Sequence, residues 1–333
     1  MPKTYIIAEA ACNHECDMAV AKRMIVAAHN AGADAIKFQT YKADKLVTEH
    51  AMSYWGEVKT RQLYYYRQLD KFGKKEYAEL FKYAKKVGID AFSTPFDEES
   101  ATMLAELGVP FMKVASCELT NIGLLRHIAK LGLPVIMSTG GCKVDEIRRA
   151  ESLFSKVPLT IMACVLSNPA TEACLNRIHF LKYMYPYLGI GYSDHTTPES
   201  TLVPMMAVAA GAKMLEKHFT IDKSMSISNH FFAADIKQFE AMVAAVRSAE
   251  GIMGDYDIYP IAEEEGARVA AARSWHAAAD IKKGEVIGLD NIVYLRPGDG
   301  LRYDNRTDII GRKATADLWK GKMLEWEDLG NGD

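Results

Sequence analysis

Gly191-Tyr192-Ser193-Asp194-His195-Thr196 and Glu216-Lys217-His218-Phe219-Thr220 are the two stretches that decide the fold. Each reads as the end of a β-strand, with apolar or β-branched residues before it and a helical pattern after it. Each carries a histidine where its strand ends. Because the carboxyl ends of parallel strands meet at one edge of a sheet, the two histidines predict a shared metal site at that edge.

The same strand-then-helix pattern recurs along most of the chain. Helical segments carry apolar residues three and four positions apart, as in Tyr77, Leu80, Ala84 and Val87. Eight such units predict an α/β fold, the (β/α)8 TIM barrel, because apolar strands joined by crossover helices form a parallel sheet covered on its outer face. A doubly wound open sheet is the structural alternative. The predicted strands are Thr4–Ala10, Asp34–Thr40, Asp90–Thr94, Phe111–Ser116, Pro134–Thr139, Leu159–Cys164, Gly189–His195 and Lys213–Thr220.

Composition bounds the class of protein. The chain has 333 residues, and its 49% hydrophobic content suffices for a barrel core plus a small appendage. A net charge of -3 predicts no nucleic-acid or membrane partner. The amino-terminal apolar run is too short for a signal peptide, and no stretch reaches the roughly eighteen apolar residues of a membrane helix. We therefore expect a soluble cytoplasmic protein. Its six cysteines lack paired zinc-finger spacing, so we expect them to be the reduced thiols of a cytosolic barrel and not metal ligands.

The pattern changes near Gly254 and divides the chain. We assign residues 1–254 to the barrel, 255–272 to a linker and 273–333 to a small second domain whose Lys-Gly-Glu and Pro-Gly-Asp-Gly sequences predict turns. So small a module is rarely stable on core burial alone. We expect it to pack on its own barrel or on a partner's.

One connection is unusually long. Between Tyr41 and about Lys74 the chain carries the aromatic runs Tyr54-Trp55-Gly56 and Tyr64-Tyr65-Tyr66. Loops of this length in compact domains are usually functional or carry structure of their own. A substrate lid and a helical decoration with a small satellite core are equally good interpretations.

Two predicted strands contain a lysine, Lys37 and Lys113, near their carboxyl ends. An interior ammonium group is costly without an anionic partner. Ion pairs with carboxylates such as Glu9 or Glu118 are one explanation. Lysines that converge with nearby hydroxyl groups on a bound phosphate are the explanation we favour; the hydroxyl groups are those of Ser93, Thr94, Ser116, Ser138 and Thr139.

The two strand-end histidines need the same comparison, because a lone histidine is more often a hydrogen-bonding residue than a ligand. His195 and His218 differ because they end adjacent strands, each near an acid, Asp194 or Glu216, that could ligate or orient an imidazole. Two neutral nitrogens with oxygens and waters suit Mn²⁺, Mg²⁺ or Zn²⁺. Such an ion could polarise a carbonyl group.

These stretches carry a resemblance to a known family. The stretches follow one another in an order that resembles the sialic acid synthase (N-acetylneuraminate synthase) family. The tail resembles that family's antifreeze-like (SAF) domain, a β-clip type of fold. The barrel stretches are 7–14, 36–40, 93–96, 112–118, 137–140, 191–196 and 216–220, and those of the tail are 273–274, 280–285, 296–298 and 310–312.

The resemblance implies a metal-dependent transferase. It would condense phosphoenolpyruvate with an N-acyl amino sugar, N-acetylmannosamine or a related hexose, to form a nonulosonic acid and phosphate. It further implies Mn²⁺ as the first choice of ion and a domain-swapped homodimer in which the small domain covers the partner's barrel.

The resemblance also implies residue roles. Glu118, Lys113 and Glu9 would be catalytic, with Glu118 near the attacking water. His195 and His218 would bind the metal. The substrate-binding residues would be Lys37, Thr94, Ser116 and Ser138 with Lys113 for the phosphate, Ser193 for the carboxylate, Gln39 with Glu9 for sugar hydroxyls, Arg273 for the N-acyl group, and Asn168, Asp194 and Asn229.

Three positions depart from the family pattern. Leu166 stands where the family has an amide that helps to hold phosphoenolpyruvate, Asn168 stands in place of a tyrosine, and Asn229 replaces a sugar-binding carboxylate. An amide at position 229 still donates and accepts hydrogen bonds but carries no charge. We therefore predict a related but different acylamino sugar rather than plain N-acetylmannosamine.

Two other classes of function stay open at this point. One is a metal-dependent barrel lyase or aldolase that does not use phosphoenolpyruvate. The other is a non-catalytic sugar-binding relative, to which the lost amide and carboxylate point. The intact set of Lys37, Lys113, Glu118, His195 and His218 argues against the second.

Overall fold

The computed structural model describes residues 3–53, 59–225, 227–228 and 230–330. The chain divides into two compact units, Met1–Asp255 and Tyr256–Asp333. The predicted substrate contact Asn229 and the aromatic run Tyr54-Trp55-Gly56 lie outside the described residues.

The first unit is built on eight strands, each of which begins and ends within two residues of its predicted position. They are β1 (Tyr5–Ala11), β2 (Ala35–Thr40), β3 (Asp90–Pro95), β4 (Met112–Val114), β5 (Val135–Ser138), β6 (Leu159–Cys164), β7 (Gly189–Asp194) and β8 (Met214–His218). All of the pairs are parallel, and the order is β3-β2-β1-β8-β7-β6-β5-β4. The TIM-barrel prediction is confirmed, and the open doubly wound alternative is wrong because strand order follows chain order around the barrel.

The barrel closes between β3 and β4. These strands lie side by side, but among the described residues no backbone ladder joins them. Phe92 of β3 instead packs edge-on against Phe111, just before β4, with the two ring centroids 5.6 Å apart. Side-chain packing therefore completes the cylinder at this junction.

Helices cover the outer face of the sheet. They are α1 (Met18–Asn30), α2 (Ala43–Leu46), α3 (Gln62–Leu69), α4 (Lys74–Val87), α5 (Glu98–Glu106), α6 (Ile122–Lys130), α7 (Val144–Ser152), α8 (Asn176–Met184), α9 (Leu202–Ala209) and α10 (Ile236–Met253), with short 3-10 helices at Ser116–Glu118 and Ala170–Glu172. Side chains cap two of these helices: Asp97 accepts a hydrogen bond from Ser100 N at 2.8 Å at the start of α5, and Asn121 accepts one from Leu124 N at 3.2 Å at the start of α6.

The long connection after β2 contains α2 and α3. Tyr41 and Leu69 are buried in a small cluster with Cys12, and Tyr65 and Tyr66 pack against it. This satellite core favours the helical decoration over the lid for the described part of the connection.

The second unit has its own core. Strands β9 (Ser274–Ala277) and β10 (Ile292–Leu295) pair antiparallel, and the unit also contains helices α11 (Glu265–Ala271) and α12 (Arg306–Ile309) and 3-10 helices at Ala262–Glu264, Tyr303–Asn305 and Trp326–Asp328. Its buried cluster consists of Trp275, Ala277, Ile281, Ile287, Ile292, Leu301, Ile309, Ala314, Leu318, Leu324 and Leu329. The predicted Lys-Gly-Glu turn has Gly284 at φ 84°, a conformation that favours glycine.

Among the helices of the described residues, none combines the length and the apolar character needed to cross a membrane.

Candidate active site

Strand register brings the predicted residues together at the carboxyl ends of the strands. Glu9 of β1 lies opposite Lys37 of β2 on one side and opposite His218 of β8 on the other. A bulge in β1 between Glu9 and Ala11, where Ala11 has φ 47°, follows immediately. A bulge re-aims the side chains around it, so Glu9 is set at the junction between the lysine and histidine sides of the barrel.

Four buried charged residues, Glu9, Lys37, Lys113 and Glu216, form what we call the charge cluster. Lys37 Nζ contacts Glu9 Oε2 and lies 3.7 Å from Glu216 Oε2. Lys113 Nζ lies 4.0 Å from the same Glu216 oxygen. The ion pair of a lysine with Glu9, the alternative to a phosphate site in the sequence analysis, is therefore present. Glu118 does not serve as such a partner and instead accepts a hydrogen bond from Asn121 Nδ2 at 2.9 Å.

The charge cluster has an uneven protonation pattern. Burial raises the pKa of Glu9 to about 7, although Lys37 acts in the opposite direction. Burial also acts to raise the pKa of Glu216, but Lys113 and Lys37 together hold it below its ordinary value. Glu216 stays ionised because it faces two lysines and Glu9 contacts one.

The two lysines respond in opposite ways to this environment. Burial alone would lower the pKa of Lys37, but Glu216 and Glu9 raise it above its ordinary value. Burial lowers the pKa of Lys113, and Glu216 offsets only part of that effect. An anion placed between them would favour the charged form of both lysines.

Hydroxyl groups complete the lysine side of the site. Lys37 Nζ donates to Thr94 Oγ1 at 2.9 Å, and Lys113 Nζ donates to Ser138 Oγ at 2.7 Å. Ser193 Oγ donates to Glu216 Oε1 at 3.1 Å. Ammonium groups with adjacent hydroxyl donors are the arrangement that binds phosphate and carboxylate groups.

Ser116 supports a tight backbone turn after β5. Its Oγ accepts a hydrogen bond from Gly140 N at 2.8 Å. A Cβ added to Gly140 would lie 2.9 Å from both Cys164 Sγ and Leu166 Cγ, so only glycine fits here. Leu166 is 57% exposed and therefore covers this turn from the solvent side.

His195 and His218 lie next to one another, as predicted. Their ring centroids are 5.0 Å apart, and Phe232 packs against the ring of His218 at 4.7 Å. Burial lowers the pKa of His195 to about 4 and holds that of His218 well below its ordinary value. Both imidazoles are therefore neutral near pH 7, the form that binds metals.

The histidine pair fits a metal ion as far as its own atoms go. His218 Nδ1 is buried without a hydrogen-bond partner in the part of the chain that the structure describes, and an orphaned buried nitrogen needs a partner. Within the same residues, no three His, Cys, Asp or Glu side chains come together as a ready ligand set. Any ion would thus complete its coordination with water, substrate or other oxygen atoms.

Asp194 faces away from the charge cluster. Its Oδ2 accepts a hydrogen bond from Lys217 Nζ at 2.9 Å, and its Oδ1 accepts bonds from Thr196 N at 2.9 Å and Thr196 Oγ1 at 2.7 Å. Side chains alternate between the two faces of a strand. Ser193 and Glu216 accordingly meet on the inner face of β7 and β8, while Asp194 and Lys217 meet on the outer face.

The remaining predicted residues lie in four places. Asn168, in the loop after β6, donates from Nδ2 to His195 O at 2.9 Å. Gln39 Nε2 donates to Glu9 Oε1 at 3.1 Å, so the two predicted sugar contacts are neighbours. Burial raises the pKa of the half-buried Glu118, as suits a residue that takes a proton. Arg273 is exposed in the second unit, directly before β9.

From the sequence, Glu216 is predicted only as a residue that could ligate or orient an imidazole. The structure instead places it between both lysines and Ser193. The period of two along β8 was the available signal, because it puts Glu216 and His218 on the same face.

Comparisons with known proteins agree with this arrangement. The model described as the NeuB family matches residues 24–257, and the model described as the SAF domain matches residues 272–330. An N,N'-diacetyllegionaminic acid synthase of Legionella pneumophila is 35% identical over 341 residues, which cover 98% of this chain and 94% of that protein. A pseudaminic acid synthase of Campylobacter jejuni is 35% identical over 336 residues, which cover 98% and 97%.

A solved structure gives the same result. The N-acetylneuraminic acid (sialic acid) synthetase of Leptospira borgpetersenii, determined in complex with citrate, superimposes with a TM-score of 0.73 at 36% identity. The alignment covers 80% of this chain and 90% of that one.

Proposed function

This chain belongs to the NeuB family, and on that premise we propose that it condenses phosphoenolpyruvate with the open-chain aldehyde of an N-acyl amino sugar. The products would be a nonulosonic acid and phosphate. The observation that carries the proposal is that two buried lysines with hydroxyl partners share one barrel mouth with two neutral histidines. An anionic donor and an aldehyde acceptor need these two environments side by side.

The lysine side would hold phosphoenolpyruvate. Lys37 with Thr94 and Lys113 with Ser138 would bind its phosphate, because each ammonium group already has a hydroxyl neighbour at hydrogen-bond distance. Ser116 would add a third hydroxyl. Ser193 would bind the substrate carboxylate, and its present hydrogen bond to Glu216 shows that its hydroxyl can serve a carboxylate oxygen.

The histidine side would hold a divalent cation. His195 and His218 would be its protein ligands, and Mn²⁺ is our first choice, with Mg²⁺ or another divalent ion as alternatives. The unpartnered Nδ1 of His218 supports this assignment. When bound, the ion would polarise the aldehyde oxygen and offset the negative charge that develops there.

The protein groups would then manage charge and protons. The C=C bond of phosphoenolpyruvate would supply the electron pair of the new C–C bond, and the aldehyde oxygen would become an alkoxide that takes up a proton. Water would then add to the phosphate-bearing carbon, which is left cationic. Glu118 would accept the proton of that water, because burial raises its pKa. The tetrahedral intermediate expels phosphate, whose charge Lys37 and Lys113 would stabilise.

The acceptor would be an N-acyl amino sugar other than plain N-acetylmannosamine. Two relatives with different products, legionaminic and pseudaminic acid, are equally similar at 35%. Glu9 and Gln39 would bind sugar hydroxyls, and Arg273 would reach the N-acyl group. Asn229 would contribute an uncharged contact.

We also propose a cytoplasmic homodimer in which the second unit covers the partner's barrel. The run from Ile252 to Ile261 exposes large apolar side chains, with Tyr256 and Ile258 fully exposed in the single chain. Exposed apolar patches mark interaction surfaces. The six free cysteines suit a reducing compartment.

The test uses the full chain with Mn²⁺, phosphoenolpyruvate and a panel of N-acyl amino hexoses, including mono- and diacylated sugars. Phosphate release and product mass are measured together. We expect phosphate and a product whose mass equals sugar plus pyruvate, with at least one diacylated sugar turned over faster than N-acetylmannosamine. Lys113→Met is the control that should abolish both signals.

Two outcomes would contradict the proposal. Calorimetry that detects no phosphoenolpyruvate binding in the presence of Mn²⁺, with cleavage of a sugar acid, would indicate an aldolase. Sugar binding without phosphate release across the panel would indicate a non-catalytic relative.

A further inference from the structure

The outer face of β7 and β8 carries a buried hydrogen-bond network around the backbone of His195. Asp194 and Thr196, the residues on either side of His195, are each 2% exposed, and Lys217 is 3% exposed. Lys217 Nζ donates to Asp194 Oδ2 at 2.9 Å and to Thr196 Oγ1 at 3.3 Å, and it also donates to Thr196 O. The ammonium group thus binds both neighbours of His195.

A second attachment comes from the loop after β6. Asn168 Nδ2 donates to His195 O at 2.9 Å, and Asn168 O accepts a hydrogen bond from Thr197 N at 2.9 Å. Asn168 therefore holds the peptide groups that follow His195. Together, Asn168, Asp194, Thr196 and Lys217 form what we call the histidine clamp.

We propose that the histidine clamp consists of positioning residues that fix His195 relative to His218. Lys217 directly precedes His218 on β8 and bonds to both neighbours of His195, so one side chain links the backbone segments that carry the two imidazoles. Asn168 and Asp194 would then act through His195 and not by touching the substrate. As far as a metal ion is concerned, this inference rests on the proposed function.

The position of His195 explains why a clamp is needed. His218 is the last residue of β8, whereas His195 lies one residue beyond the end of β7. Backbone hydrogen bonds of the sheet therefore hold His218 more directly than His195. Ligand side chains depend on supporting hydrogen bonds to stay in place, and their loss typically lowers metal affinity about 10–100-fold.

Matched substitutions in the full chain separate positioning from stability. Thr196→Val removes the hydroxyl at constant shape, and Thr196→Ser restores it. Asn168→Ala removes the second attachment. Tyr192→Phe is the control, because it removes one buried hydrogen bond, from Tyr192 Oη to Ala173 O at 2.9 Å, that joins β7 to the same loop without touching the clamp.

The first measurement is Mn²⁺ affinity by calorimetry, with the visible spectrum of bound Co²⁺ as a report on ligand geometry. We expect Thr196→Val and Asn168→Ala to weaken Mn²⁺ binding about tenfold or more and to change the Co²⁺ spectrum. The Mn²⁺ affinities of Thr196→Ser and Tyr192→Phe should stay within about twofold of that of the original protein. Unchanged affinity and spectra in Thr196→Val and Asn168→Ala would overturn the proposal.

The second measurement needs no metal. The ¹⁵N imidazole resonances of His195 in metal-free protein should shift or broaden in Thr196→Val and Asn168→Ala but not in the two controls. If the unsubstituted protein fails to bind Mn²⁺, the metal assignment in the proposed function fails, and these resonances alone decide about the clamp. Resonances of His195 that are identical in all variants would refute it.

Discussion

The two faces of β7 and β8 carry the same kinds of side chain but differ in how completely the polar atoms are hydrogen-bonded. On the inner face, His218 Nδ1 is buried without a hydrogen-bond partner among the described residues, and Glu216 Oε2 has only the two lysine ammonium groups, at 3.7 and 4.0 Å. On the outer face, Asp194, Thr196 and Lys217 bond to one another with both carboxylate oxygens engaged. A buried polar atom without a partner is costly, so the inner face is built for something that binds there.

The contrast indicates that the inner face of these two strands serves binding and chemistry, whereas the outer face holds the strands and His195 in place. Inner-face substitutions should alter binding and turnover directly, with modest effects on stability. Outer-face substitutions should cost stability when they leave a buried charge unpaired, and should alter binding only through the position of His195. Three substitutions test this division, and a fourth lies outside it in the second unit; they follow from the largest expected effect to the smallest.

His218→Ala should reduce turnover by at least about 10²–10³-fold, the cost of losing one group that stabilises developing charge. The free energy of unfolding should fall little, because the lost nitrogen Nδ1 has no hydrogen bond to lose among the described residues and mainly the packing with Phe232 is affected. Steady-state kinetics with Mn²⁺ and urea unfolding check the two parts. Turnover equal to that of the unsubstituted protein would remove His218 from the site.

Lys217→Met should lower the free energy of unfolding by about 3–5 kcal/mol, because it leaves the buried Asp194 carboxylate without its cation. Adding Asp194→Leu should recover most of that loss, since it removes the unpaired charge. Urea unfolding of the single and double variants measures both effects. If Lys217→Met alone were as stable as the original protein, the outer-face ion pair would not stabilise the fold.

Glu216→Gln should strengthen phosphoenolpyruvate binding roughly tenfold, because it removes a negative charge beside both lysines. The matched control is Asp194→Asn, the same loss of charge on the outer face, which should bring no such gain. Calorimetric titration with phosphoenolpyruvate compares the two. Equal gains in both variants would show that net charge, and not its position on the inner face, sets the affinity.

Arg273→Ala should have the smallest effect, a rise of about tenfold or less in the KM for the sugar with kcat nearly unchanged, as expected for a group that binds ground and transition states alike. Arg273 lies in the second unit, outside both faces. Steady-state kinetics with varied sugar give the result. A fall in kcat at constant KM would assign Arg273 a role in the chemical step.

The barrel could be predicted from the sequence because its strands are continuous apolar runs that end in polar residues. Prediction failed at strand ends, where side chains compete with the backbone ladder. The strand predicted to run to Ser116 ends at Val114. Residues Ser116–Glu118 form a 3-10 turn instead, with the Ser116 hydroxyl bound to Gly140 N.

The lysines, their hydroxyl partners Thr94 and Ser138 and the paired histidines could also be predicted, since each lies at or near the carboxyl end of a strand. Two predicted hydroxyl groups lie elsewhere: Ser93 Oγ is bonded to Thr40 Oγ1 at 2.6 Å, and Thr139 Oγ1 donates to Met162 O at 3.1 Å. The environment of Asn168 could not be predicted in the same way. The hydrogen bond from Asn168 joins two loops 27 residues apart and ends on a backbone carbonyl, which no side-chain pattern reveals. Alternation along β7 would have placed Asp194 on the face opposite Ser193.

A ligand bound across the junction between β3 and β4 would also stabilise the barrel. Thr94 lies on β3 and Lys113 on β4, one on each side of the only neighbouring strand pair of the described barrel that lacks a backbone ladder. A phosphate bound by residues of both strands would link β3 to β4 at the junction where backbone hydrogen bonds do not. Amide hydrogens of β3 and β4 should then exchange more slowly when phosphoenolpyruvate is bound. Ligand binding would thus also stabilise the closed barrel.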